Sequence, residues 1–150
     1  MARSFRRVAA LAVVLLAGAA QPTLAADGHH LSGGGTASIS QVAMNVNFSA
    51  SGSVTGTFEC LMAGRSAFVL PKFRLAHSMI VHASPTAGSI SGTKVTFSGP
   101  GRLSLDGHVH MDIHIDVQVD VATQTFQLRV VEVGAAMPVE TMLSGHLSMS

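Results

Sequence analysis

Three histidines and one aspartate that recur at every second position are the residues with the clearest chemical potential. His108, His110, Asp112 and His114 occupy even positions of residues 102–121, where the odd positions are apolar or glycine. This period of two predicts an extended strand with the four side chains on one face, neighbours being about 6.5–7 Å apart. Imidazole nitrogens at that spacing can chelate one Zn²⁺ or Cu²⁺ ion, so the four residues are candidate metal ligands.

A second candidate metal site involves the tripeptide Asp27-Gly28-His29. If a signal peptide is cleaved after Ala26, a free amine, two backbone nitrogens and the His29 imidazole form a square-planar set, which Cu²⁺ and Ni²⁺ prefer. The tripeptide resembles the amino-terminal copper- and nickel-binding motif of serum albumins. Cleavage after Ala25 would move the histidine to the fourth position and abolish this chelate. The two candidate sites together make Cu²⁺ or Zn²⁺ the candidate cofactor, and a disordered tail is the alternative interpretation of the tripeptide.

The histidine run also has a simpler interpretation as a solvated sheet face. Two histidine ligands bind a metal weakly, so a real site needs further ligands from a neighbouring strand. The predicted hairpin register places His108 opposite Ser104 and His110 opposite Arg102. An arginine opposite a ligand disfavours a cation, so this register favours the solvated face.

The elements that must position these residues are predicted to be antiparallel strands. The expected hairpins turn at 51–52, at 104–107 and at 123–124; the last of these sets Gln118 opposite Arg129, which then lies diagonal to Asp116 and Asp120. Further strands are predicted over 73–81, over 90–97 with a break at Gly92, and over 139–149, and Gly99-Pro100-Gly101 is expected to stop a strand. Seven or eight strands with almost no helix predict a single antiparallel β-sandwich or small barrel.

The first residues carry an export pattern rather than part of the fold. Arg3, Arg6 and Arg7 precede an apolar stretch at 8–20, and small residues follow at 25–26. We expect a cleaved signal peptide over 1–26, a flexible Gly- and His-rich lead-in over 27–35 and one all-β domain over 36–150. The expected location is the periplasm or the extracellular space, with no membrane span after cleavage.

Composition argues against several classes of function. Without residues 1–26 the chain has six basic residues against eight acidic ones, a net charge near −2. It contains no tyrosine or tryptophan, which argues against stacking of sugars or of single-stranded nucleic acid. Cys60 is the single cysteine, and the apolar face of its predicted strand points to a buried, inert thiol. Asp112 and Asp116 would lie about 13 Å apart on one strand, too far for paired carboxylates in glycoside hydrolysis. The sequence therefore favours a protein that is not an enzyme.

Two segments resemble parts of small exported bacterial proteins of unassigned function. They are Gly56-Thr57-Phe58-Glu59-Cys60-Leu61-Met62-Ala63-Gly64-Arg65 and Pro138-Val139-Glu140-Thr141-Met142-Leu143-Ser144-Gly145. The resemblance implies an exported β-domain and no particular activity. Our first functional hypothesis is a non-catalytic domain that binds a small ligand or a protein partner. The alternative is a copper- or zinc-binding protein that uses the histidine strand.

Overall fold

The computed structural model describes residues 28–64 and 78–150, which fold almost entirely as β-structure. In chain order the strands are β1 (His29–Thr36), β2 (Gln41–Phe48), β3 (Val54–Ala63), β4 (Ser78–Ala83), β5 (Ala87–Ser91), β6 (Lys94–Leu105), β7 (Val109–Asp120), β8 (Thr125–Val130), β9 (Ala135–Ala136), β10 (Glu140–Thr141) and β11 (His146–Met149). A 3₁₀ turn over Val131–Val133 follows β8. Within the two described ranges no helix is long and apolar enough to cross a membrane. The predicted signal peptide over 1–26, and the part of the predicted 73–81 strand before Ser78, lie outside these ranges.

All eleven strands belong to one antiparallel sheet that curls into a half-barrel. The order is β10-β8-β7-β6-β4-β3-β2-β1-β11, with β5 beside β6 and β9 beside β8. This confirms the all-β, antiparallel prediction. The predicted number of seven or eight strands is wrong, because several expected strands divide at turns. One continuous curled sheet agrees with the barrel-like alternative rather than with two packed sheets.

Strict alternation of side chains places the core on the inside of the curl. In β2 every second residue is buried, and a similar alternation runs through most of β3, β6 and β7. The aromatic rings of Phe58 and Phe97 meet edge to face with centroids 5.7 Å apart. Each large apolar side chain removed from water contributes about 1.5–3 kcal/mol, which makes this inner face the main source of stability.

Residues 29–35 of the segment predicted as a flexible lead-in (27–35) instead belong to β1. This strand pairs with β2 on one side and with β11 on the other. Its glycines serve close packing of backbones: a Cβ added to Gly33, whose φ is +144°, would lie 2.0 Å from the backbone oxygen of His146. The glycines that suggested flexibility are therefore required for the approach of β11.

The predicted stop at Gly99-Pro100-Gly101 is also wrong, because β6 runs through it. The Ser84 N–H donates to the Pro100 carbonyl at 2.9 Å. In a strand the backbone N and O of one residue point to the same side of the strand. The N–H that Pro100 lacks would therefore point toward the link between β4 and β5, not toward β7. The ladder between β6 and β7 loses no hydrogen bond at this position. The break predicted at Gly92 within 90–97 is present, since β5 turns into β6 at 92–93.

Both predicted registers along β7 are displaced by two residues. The β6–β7 turn comprises 106–108, so His110 faces Ser104. Asp106 and Gly107 both adopt positive φ in this turn, at 50° and 72°. The β7–β8 turn comprises four residues, 121–124, so Arg129 faces Asp116 rather than Gln118. Because each displacement is even, the predicted inward and outward faces are kept.

The C-terminal segment closes the curl and is not the single strand predicted over 139–149. Strand β10 pairs with β8 at one end of the sheet, whereas β11 pairs with β1 at the other end. The connection between them is tied to both ends by Met142 N–H to the Gln124 carbonyl (2.9 Å) and Leu143 N–H to the Thr36 carbonyl (2.8 Å). We call this closure the seam.

Two polar side chains complete the seam. The buried Glu140 carboxylate accepts hydrogen bonds from the Ser40 hydroxyl (2.9 and 3.0 Å) and from the Ile39 N–H (3.0 Å). The Gln124 carboxamide both donates to the Leu147 carbonyl and accepts from its N–H, each at 2.8 Å. Side chains thus supply hydrogen bonds where the two ends of the sheet lack a continuous ladder.

Candidate functional site

The outer face of the sheet carries the predicted metal ligands, but each of them contacts a different partner. His108 lies in the β6–β7 turn, while His110, Asp112 and His114 project from the exposed face of β7. The Nδ1 of His110 is 2.8 Å from the Ser104 hydroxyl. Asp112 lies 3.9 Å from the Nε of Arg102 in an exposed ion pair.

His114 forms the tightest of these contacts. Its backbone N–H donates to the Glu132 carboxylate at 2.8 and 3.0 Å, and its Nδ1 lies 2.9 Å from the same carboxylate. These hydrogen bonds, the backbone one first, lower the pKa of Glu132 below its ordinary value. In 28–64 and 78–150 no three histidine, cysteine, aspartate or glutamate side chains come together as a metal-binding group. The structure therefore does not assemble His108, His110, Asp112 and His114 into one site.

The predicted amino-terminal chelate falls only partly within the described residues. Asp27 lies outside them, and His29 is the exposed first residue of β1. His29 already pairs with Phe48 of β2 in the ladder. A square-planar chelate would need the backbone nitrogen of His29, so metal binding there would compete with this pairing.

A groove on the outer face lies over two apolar residues that point away from the core. Leu61 of β3 and Ile80 of β4 are half-buried and directly opposite each other, with Gln41 of β2 beside Leu61. The groove has a volume of about 590 Å³ and opens along the surface of β1 to β4. Apolar side chains at outward positions of an otherwise polar sheet face are in unfavourable contact with water unless another group covers them.

The next transverse row of the sheet gives the groove its charge. Glu59 faces His82 across β3 and β4, and the His82 Nδ1 lies 3.2 Å from the Glu59 carboxylate. Their side chains are 58% and 56% exposed. Arg102 faces His82 from β6 but pairs with Asp112 on the far side. Across β3, β4, β6 and β7 the row therefore carries a carboxylate, an imidazole, a guanidinium and a second carboxylate, in that order.

The apolar floor continues from this groove toward the seam. An adjoining groove of about 340 Å³ shares Thr36, Gln41 and Leu61 with the first one. It adds apolar residues at its far end, among which Leu143 is 69% exposed. We name the combined apolar surface the outer strip; its members are Ile39, Leu61, Ala63, Ile80 and Leu143.

Sequence reasoning missed the outer strip because the strip depends on strand pairing. Leu61 lies where the alternation of β3 becomes ambiguous, and Ile80 is the outward residue between the buried Met79 and Val81. Each is unremarkable alone. They form a surface only because β3 and β4 place them opposite each other, which one strand pattern cannot show. The outward position of Ile80 was the one available signal.

Cys60 takes no part in the exposed surface. Its thiol is buried, as the sequence predicted, and burial is the largest of the causes that raise its pKa to about 12. The Ser40 hydrogen bond lowers this pKa and the nearby Glu140 carboxylate raises it. A thiol held in this protonated form is a poor nucleophile.

Comparisons with known proteins add no assignment to this geometry. No protein-family model matches the chain, and neither the curated proteins nor the solved structures give a match.

Proposed function

We propose that the protein is a non-catalytic, exported binding domain that holds a protein partner on the outer strip. The observation that carries this proposal is the outward, half-buried pair of Leu61 and Ile80 in an open groove. Contiguous exposed apolar surface rimmed by polar residues is typical of protein interaction sites. The export pattern of residues 1–26 supports a partner in the cell envelope or outside the cell.

The packing of the core supports a surface partner rather than a small molecule inside the curl. Phe58, Phe97 and Phe126 lie between β3, β6 and β8 with 2% exposure or less. Small-molecule sites usually enclose most of the ligand surface. The groove over Leu61 and Ile80 is open along its length, and an open, shallow surface suits a protein segment better.

A co-purification experiment tests this function. The mature protein is immobilised and incubated with extract from its exporting host, beside the variants Leu61→Asp and Val109→Asp. Val109 is 51% exposed at the β6–β7 turn, so its substitution makes the same chemical change away from the strip. We expect one partner to be recovered with the wild type and Val109→Asp, and to be reduced at least tenfold with Leu61→Asp. Equal recovery with all three proteins would contradict the proposal.

Copper or zinc binding is the second candidate function, and one observation favours it. The contact of His114 Nδ1 with Glu132 leaves the Nε2 nitrogen available, as in many metal-ligating histidines. Calorimetric titration of the mature protein with Zn²⁺ and Cu²⁺ tests this candidate. Near-stoichiometric binding that His114→Ala abolishes would support it, and the absence of saturable binding would reject it.

A further inference from the structure

The dimensions of the groove over Leu61 and Ile80 match a short extended peptide. Its lining residues come from β1, β2, β3 and β4, which are three inter-strand spacings, or about 14 Å. An extended chain advances about 3.3 Å per residue, so four to five residues cover this distance. The lining residues of the groove extend across all four strands, so a chain of this length can contact each of them.

The charge of the groove selects the chemistry of such a peptide. Glu59 is the one carboxylate among the described residues that line the two grooves, and none of these residues is a lysine or arginine. The His82 Nδ1 lies 3.2 Å from the Oε1 atom of Glu59, and no other described side chain forms an ion pair with this carboxylate. Arg102, which faces His82 from β6, contacts Asp112 instead. Glu59 can therefore still accept a cation.

The apolar pair and Glu59 lie within reach of adjacent residues of one peptide. Leu61 and Glu59 are two positions apart on β3, which places their side chains about 6.5–7 Å apart on the same face. A lysine or arginine side chain is long enough to span that distance while a neighbouring apolar residue covers Leu61 and Ile80. Apolar contact would supply affinity, and the charge would supply selectivity.

We propose that the outer strip binds an extended peptide segment in which a basic residue next to apolar residues pairs with Glu59. This inference rests on the proposed function and specifies its partner. The sign of the partner's charge follows from the carboxylate, and its length follows from the width of β1 to β4.

Nuclear magnetic resonance titration of the mature protein with three capped pentapeptides tests the inference. The peptides are Ala-Leu-Lys-Leu-Ala and its versions with central glutamine or glutamate. We expect the lysine peptide to bind at least about fivefold more tightly than the glutamine peptide, with the glutamate peptide weakest. Amide shifts should concentrate at Gln41, Glu59, Leu61, Ile80 and His82. In the variant Glu59→Gln the lysine and glutamine peptides should bind with about equal affinity.

The variant Asp116→Asn is the matched control. Asp116 is a carboxylate on the same outer face, but it pairs with Arg129 and lies outside the strip. Its removal should leave the preference for lysine unchanged. An equal loss in Asp116→Asn and Glu59→Gln would show only general attraction to an acidic protein and would overturn the proposal.

Other results would overturn the inference without contradicting the proposed function. Equal affinity for the lysine and glutamate peptides, no binding of any peptide, or shifts outside the groove would each reject a basic peptide ligand. Concentration-dependent broadening of the strip resonances without peptide would identify a second copy of the chain as the occupant. In each case a partner lost on Leu61→Asp in the co-purification experiment would still support partner binding with different chemistry.

Discussion

The carboxylates of Glu140 and Glu59 have very different surroundings in this sheet. Cys60 and Ser40 lie inside near the Glu140 carboxylate, whereas Glu59 and His82 form an exposed pair on the outside. The alternation of β3 alone separates Glu59 from Cys60, which are neighbours in the chain. The inner group holds the fold together, and the outer pair is accessible to a partner.

The raised pKa of Cys60 predicts a loss of stability at alkaline pH. In the unfolded chain the thiol ionises near pH 8.5, whereas the folded protein keeps it protonated to about 12. Above pH 8.5 the thiol loses its proton only in the unfolded state, which favours unfolding. The contribution of the Cys60 thiol to stability is therefore complete below pH 8.5 and declines above it. We expect the free energy of unfolding to fall by up to about 1.4 kcal/mol per pH unit above pH 8.5. Urea titrations of the wild type and Cys60→Ala should differ in this slope, and parallel slopes would contradict the buried thiol.

The exposed histidines of the β6–β7 hairpin should contribute little to stability. Both His108 and His110 are exposed, and His110 has one hydrogen bond, to Ser104. We expect the double variant His108→Ala/His110→Ala to change the free energy of unfolding by less than about 0.5 kcal/mol in metal-free buffer. A loss above about 2 kcal/mol in chemical denaturation would indicate a buried polar network instead.

At the scale of elements, the glycines of β1 determine whether the strand can lie between two others. The variant Gly33→Ala would place a Cβ 2.0 Å from the His146 carbonyl oxygen, at a φ of +144°. We expect a loss of about 2–4 kcal/mol from the combined steric and backbone strain. Gly52→Ala is the control, because Gly52 has a φ of +85° but nothing within 4 Å of the added Cβ. It should cost about 1 kcal/mol, and equal losses by thermal unfolding would contradict the packing argument.

The sequence predicts the strands with clear alternation and fails where long-range pairing decides. The β2–β3 and β6–β7 hairpins follow from local patterns of apolar residues around Ser51-Gly52 and Gly107. Strand β1 and the continuity of β6 through Pro100 depend on neighbours far away in the chain, so local glycine and proline signals gave the wrong prediction there. The same reason hides the outer strip. Its members become neighbours only through the pairing of β3 with β4, and through the seam.

The half-barrel as a whole is closed by the ten residues 140–149. Within them β10 and β11 pair with opposite ends of the sheet. Glu140 is 1% exposed and supplies the acceptor for the Ser40 hydroxyl and the Ile39 N–H. One buried carboxylate therefore contributes to closure of the fold and also positions the start of β2, next to the outer strip.

Removal of the Glu140 carboxylate should destabilise the whole domain. In Glu140→Ala, the Ile39 N–H and the Ser40 hydroxyl lose their buried acceptor, which costs about 2–3 kcal/mol. Glu59→Ala provides the control, because that carboxylate is exposed and its single contact with His82 is worth less than about 1 kcal/mol. Urea denaturation measures both changes. Losses of equal size would contradict the role of Glu140 in the seam.

Site-specific photo-crosslinking in cells that produce the protein tests the central claim, that the outer strip is the partner-binding surface. A photoreactive residue is placed in turn at position 61 or 80 in the strip, and at position 110 or 118 on the exposed face of β7. We predict one discrete adduct from positions 61 and 80, and none from positions 110 and 118. An adduct from the β7 positions alone would contradict the claim and would assign binding to the histidine face.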